Sequence, residues 1–141
     1  GFPIGAVMTH GRGVGVLTAG HDGSTYSGSA LVSRVVYTII DIMQKENFVQ
    51  NAAEQGAYIV EQLRKQLADQ NVIVRGFGLM IGVELPKACG DLVNIARDEY
   101  HTIINVTAGS VVRLLPTLNI TKDQADQLIE RLVKMIKAYL A

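Results

Sequence analysis

The sequence predicts an α/β domain: a sheet of about four strands with helices on one face, preceded by a glycine-rich lead-in. Three observations carry this. Long stretches repeat apolar residues at spacings of three and four, the signature of half-buried helices. Short β-branched runs bounded by Gly, Pro and Asn alternate with them. Eight of the 14 glycines fall within residues 1–28, where they oppose any long helix, because each interior glycine costs about 1 kcal/mol relative to alanine.

Within the lead-in one short strand is predicted at Ile4–Thr9, and the rest reads as loop. It has too few apolar residues to fold alone, so it should dock on something outside this chain. From Leu31 the residues Val35, Val36, Ile39, Ile40, Ile42 and Met43 form an apolar helix face that ends near Asn47. Asn47 followed by Gln50 fits an N-cap with a back-reaching amide. A second helix carries Val49, Ala52, Ala53, Gly56, Ile59, Val60, Leu63 and Leu67 on one side. Asn71 and Val72-Ile73-Val74 begin a strand that Gly76-Phe77-Gly78 interrupts. Leu79–Leu85 forms the next strand, and Pro86 stops it.

Leu92, Val93, Ile95, Ala96 and Tyr100 predict a short amphipathic helix. Thr102–Val106 and Val111–Leu115 read as two strands of a hairpin joined through Thr107-Ala108-Gly109-Ser110. Thr121 and Gln124 make a capping box. It starts a last helix whose stripe of Ala125, Leu128, Ile129, Leu132, Val133, Ile136 and Leu140 should pack on the sheet.

Composition narrows the function classes. Lys plus Arg and Asp plus Glu balance at 13 each, which leaves no basic surplus for nucleic acid. No apolar run approaches the ~20 residues of a membrane span, and no signal peptide is evident. Charged residues make up 18%, below the roughly 25% of an average domain. Surface buried against another body would explain that, and so would chance. The single cysteine, Cys89, excludes an internal disulfide and fits a reducing cytoplasm. His10, His21 and His101 lack ligand spacing, so no metal is expected. Cys89 and Met80 read as structural residues, and Gly11-x-Gly13-x-Gly15 lacks the helix and lysine of a phosphate loop.

Two motifs remain. Gly23-Ser24-Thr25-Tyr26 can turn hydroxyls and backbone N–H groups towards one anion, or be an ordinary polar turn. Arg113 stands among Val111, Val112, Leu114 and Leu115, and strand alternation puts it on the face opposite Val112 and Leu114. Its fork suits a carboxylate. A structural ion pair or an exposed strand face are the plainer readings.

In order along the chain, the motifs resemble those of the class III pyridoxal-phosphate-dependent aminotransferases. Gly1-Phe2-Pro3-Ile4-Gly5-Ala6 is similar to the segment that follows the family's Schiff-base lysine. Gly23-Ser24-Thr25-Tyr26 resembles its phosphate turn, and Arg75-Gly76-x-Gly78-Leu79-Met80-Ile81-Gly82-Val83-Glu84 its central signature. Ile104-Asn105-Val106-Thr107 and Val112-Arg113-Leu114-Leu115-Pro116 complete the series, the former most like the acetylornithine aminotransferases. The turn departs from the family pattern at Asp22, Ser27, Ser29 and Ala30, and Thr117 follows Pro116 where a serine is common.

The resemblance implies the C-terminal small domain of a fold-type-I enzyme over residues 31–141, with 1–30 the tail of the large cofactor domain. Thr25, with Ser24 beside it, would contact the phosphate of pyridoxal 5'-phosphate across a homodimer interface. Arg113 would bind the substrate α-carboxylate. The activity implied is amino transfer between N2-acetylornithine, or a related ω-amino acid, and 2-oxoglutarate in arginine biosynthesis in the cytoplasm. No catalytic residue is expected here: the Schiff-base lysine would precede Gly1, and Lys45 is no substitute, so the piece alone should be inactive. The alternative is a free-standing amino-acid-binding regulatory module without catalysis.

Overall fold

The computed structural model describes residues 4–21 and 23–141, and the chain forms two compact units, Gly1–Glu46 and Asn47–Ala141. The first unit, among its described residues, contains a single turn of 3-10 helix at Gly11–Gly13 and the helix α1, Ala30–Lys45. The strand expected at Ile4–Thr9 does not form. A strand needs a neighbour to satisfy its backbone groups, and the lead-in supplies none. Val7, Met8, Val14 and Leu17 stay exposed there. The apolar residues of α1 are at most half-buried, because this unit has no sheet to cover them. Phe2, Pro3 and Asp22, with Gly1, lie outside the described residues.

Asn47 does not cap a helix N-terminus. Its backbone is left-handed, with φ 53° and ψ 37°, and its side chain makes no capping bond. This is the conformation asparagine tolerates just past a helix end, and the Glu46 N–H already bonds back to Ile42 O. Gln50, expected to reach back, instead donates to Glu54 Oε1 at 2.7 Å. With only Glu46 and Asn47 between two helices, no residue is left to adopt the extended N-cap geometry.

In the second unit, α2 (Phe48–Gln66) precedes the strands β1 (Ile73–Phe77) and β2 (Met80–Glu84) and the helix α3 (Leu92–Tyr100). The strands β3 (Asn105–Thr107) and β4 (Val111–Leu114) and the helix α4 (Lys122–Leu140) follow. The four strands make one antiparallel sheet in the order β1-β2-β4-β3. Gly76 and Phe77 do not break the ladder: β1 runs through them to the Phe77–Met80 pair, so the turn is Gly78-Leu79, with Gly78 at φ 52°. The expected β3–β4 hairpin is present, Thr107 pairing with Val111 across Ala108-Gly109-Ser110. β3 begins later than Thr102, because the Thr102 N–H closes the end of α3 on Ala96 O at 2.8 Å.

Alternation gives the sheet one covered face. Val74, Ile81, Val83, Val112 and Leu114 are buried, and they share one core with Ile59 and Leu63 of α2, Leu92 of α3 and Ile129, Leu132 and Ile136 of α4. All three helices of this unit contribute to that side, as the sequence predicts. No polar or charged residue is buried among those described. The Thr121–Gln124 capping box is formed in both directions, at 3.2 and 3.0 Å.

Two glycines set how close α2 comes to the sheet. A Cβ on Gly56 would lie 2.0 Å from Gly78 O, and one on Gly76 would lie 2.9 Å from Val60 Cγ2. Arg64 then donates twice to Val74 O, at 3.1 and 2.9 Å, and Asn51 donates to Leu118 O and Ile120 O. α2 and α4 are joined where the Tyr58 hydroxyl donates to Asp126 and Lys122 lies over the Tyr58 ring. That hydroxyl first, then Lys122, holds the Asp126 carboxyl below its ordinary range.

Two outcomes follow from these contacts. Gly56→Ala should cost roughly 2 kcal/mol or more in a urea unfolding curve, because a backbone carbonyl must move to admit the methyl; an unchanged midpoint would contradict the close approach. Tyr139 donates to Asp91 at 2.6 Å, and that bond, then burial, pushes its phenol up to about 12. A folded pKa above the unfolded one stabilises fully below about 10 and loses that contribution as pH rises towards about 12. Ultraviolet titration of the folded protein should therefore contain a phenolate step near 12 that Tyr139→Phe removes.

Candidate functional site

The two motifs singled out in the sequence fall in different units. Ser24 and Thr25 belong to the first. Ser24 Oγ accepts from the Tyr26 N–H at 3.2 Å, and Ser24 O accepts from the Ser27 N–H at 3.0 Å, which makes a tight turn. Because its oxygen serves as acceptor, the Ser24 hydroxyl proton stays available to donate. The hydroxyl of Thr25 is exposed and makes no hydrogen bond among the described residues. A hollow of about 650 Å³ beside the turn is lined by Ser24, Ser27, Ser29 and Ser33 together with Ile4, Tyr26 and Val32. Several hydroxyl residues around one hollow, without a carboxylate, suit an anion such as a phosphate. Thr25 is next to this hollow in sequence but is not part of its lining.

Arg113 belongs to the second unit and sits on β4 with its side chain on the uncovered face, opposite buried Val112 and Leu114. The register fixes its neighbours: Gly82 on β2 to one side and Asn105 on β3 to the other. Beyond Gly82, across from it on β1, stands Arg75, which is ion-paired to Glu84. Arg113 has neither an ion pair nor a hydrogen bond among the described residues. A guanidinium with five donors, on an open sheet face and beside a residue without a side chain, is arranged to take a carboxylate from outside the unit.

A third feature escaped sequence reasoning. An apolar groove of about 680 Å³ runs between α2 and the β1–β2 hairpin, lined by Val49, Ala53, Val60, Phe77, Met80 and Leu118. Its signal was the row of small residues Ala52, Ala53, Gly56 and Ala57, which lowers one side of α2. The one charged lining residue, Arg64, directs two N–H groups at Val74 O, so the groove is otherwise apolar and suited to burying side chains.

Other reactive groups are committed. Cys89 is fully buried, and burial, then the charge of Asp91, raises its thiol pKa, which suppresses the nucleophilic thiolate. Lys45 pairs with Asp41 at 2.8 Å within α1. No helix of the described chain is long and apolar enough to cross a membrane.

A family model described as Aminotransferase class-III matches residues 1–136. The chain belongs to the class-III aminotransferase family. Among curated relatives, acetylornithine aminotransferase 1 of Bordetella parapertussis is 41% identical over all of this chain and 36% of its own length. An acetylornithine aminotransferase of Methanosarcina acetivorans is 37% identical over 92% of this chain and 32% of its own. Among solved structures, an ornithine aminotransferase of Plasmodium yoelii superimposes with a TM-score of 0.77 and 29% identity, over 87% of this chain and 34% of that one. The Plasmodium falciparum ornithine δ-aminotransferase gives 0.76 and 33%, over 91% and 34%. The class-III chain thus spans about a third of the length of the relatives it matches.

Proposed function

We propose that the chain is the C-terminal part of a pyridoxal-phosphate-dependent aminotransferase. In this reading residues 1–30 are the tail of its large domain, and 31–141 are a linking helix and the small domain. The whole enzyme moves an amino group between N2-acetylornithine and 2-oxoglutarate, in arginine biosynthesis, as a cytoplasmic homodimer. Relatives named as acetylornithine aminotransferases align with the entire chain, which favours that substrate. The observation that carries the reading is Arg113: a guanidinium without a partner among the described residues, on an open sheet face in a chain of this family.

Each residue then has a physical task. Ser24 and Thr25 donate hydroxyls to the cofactor phosphate, helped by the small turn they occupy. Arg113 holds the substrate carboxylate through two parallel hydrogen bonds, which fixes the orientation of the reacting carbon. Bound pyridoxal phosphate supplies the electron sink that amino transfer needs. The lysine that anchors the cofactor lies outside these 141 residues, and Lys45, already ion-paired, does not replace it.

Two measurements test this reading. The 141-residue chain mixed with pyridoxal phosphate, acetylornithine and 2-oxoglutarate should release no glutamate, whereas the full-length enzyme should; turnover by the short chain would place the catalytic groups within it. In the full-length enzyme, Arg113→Lys should raise KM for both the amino and the keto substrate roughly ten-fold or more, because a point charge loses the two-bond geometry. Unchanged KM and kcat for both substrates would exclude a carboxylate role for Arg113.

A further inference from the structure

We propose that Asn105 is a second substrate-positioning residue, which shares the carboxylate that Arg113 holds. This rests on the reading of Arg113 as the carboxylate holder. The register places Asn105 on β3 directly opposite Arg113 on β4, and both side chains are exposed on the same face. Directly paired residues of an antiparallel ladder hold their Cβ atoms about 5 Å apart, so two such side chains can reach one small group. Neither makes a hydrogen bond among the described residues, so both retain their full donor capacity.

The other ladder partner of Arg113 contributes no side chain of its own. Gly82 is its partner on β2, and a Cβ there would press to 3.3 Å on Val111 Cγ1. Arg75, the next residue in the row, is neutralised by Glu84. A carboxylate approaching this row therefore meets the Val111 side chain beside Gly82, the guanidinium of Arg113 and the carboxamide of Asn105. The amide suits the place chemically. With a carboxylate bound, its NH2 would donate to the group that Arg113 holds, and its oxygen could accept from the guanidinium. An acidic residue there would instead pair with Arg113 and compete with the substrate.

The test uses the full-length enzyme with Asn105→Ala, Asn105→Asp and Arg113→Lys. Asn105→Ala should raise KM for the amino and keto substrates about ten-fold with little change in kcat, as expected from losing one charge-assisted bond. Asn105→Asp, nearly isosteric, should raise KM further, and its excess over the alanine variant should shrink as pH falls and the new carboxyl protonates. A residue that only supports the strand would give neither the ordering of the two variants nor the pH dependence. KM values for both variants within about two-fold of the parent overturn the proposal. If Arg113→Lys remains impaired in that case, only the role of Asn105 falls; if it is also silent, the carboxylate reading of Arg113 falls with it. Should Asn105→Ala lower the melting temperature, the isosteric aspartate variant and its pH profile decide.

Discussion

The second unit depends on the close seating of α2 on the β1–β2 hairpin. Gly56 lies over the Gly78 carbonyl with no room for a methyl group, and Gly76 leaves space for Val60. Glycine within a helix and a strand lowers local stability by roughly 1 kcal/mol each. That loss is offset because the approach lets Ile59 and Leu63 reach the sheet and lets Arg64 reach Val74 O, a carbonyl of the edge strand. A side chain at position 56 would lift the helix and weaken all of these contacts together.

With one face sealed, strand alternation dictates what the other displays. Every second residue of β1, β2 and β4 points into the core, so Arg75, Gly82 and Arg113 line up on the uncovered side with Asn105 of β3 beside them. The arrangement separates roles cleanly. Arg75 is held by Glu84 across the hairpin and serves the sheet, while Arg113, next to a glycine, has no carboxylate partner among the described residues. Two arginines of the same charge on one face thus differ in their partners, Arg75 being ion-paired and Arg113 without an ion pair among the described residues. Phe77, Met80 and Leu115 remain exposed around the groove beside α2.

Local chemistry was readable where it sufficed to determine structure. Thr121 and Gln124 satisfy the first turn of α4 through their own side chains, so their spacing alone announces the cap. Asn47 and Gln50 offer the same residue types, yet Asn47 is taken up by the end of α1. Its conformation was decided by how few residues join the two helices, which a capping pattern does not register. Ile4–Thr9 has the composition of a strand, but pairing is a property of two segments, and no described segment of the first unit pairs with it. Met135, outside the apolar stripe read for α4, is buried because the helix is contacted by both α2 and α3.

By itself the sequence determined the helix periods, most of the strands, the face of β4 on which Arg113 stands and the last capping box. These follow from intervals of two to four residues along one chain, where the physics is local. Tertiary structure alone decided that Gly56 meets Gly78, that α2 and the hairpin enclose an apolar groove, and that Arg113 stands between Gly82 and Asn105. Those relations join residues distant in sequence through register and helix seating, and register is set only when the buried faces of all the elements are satisfied together.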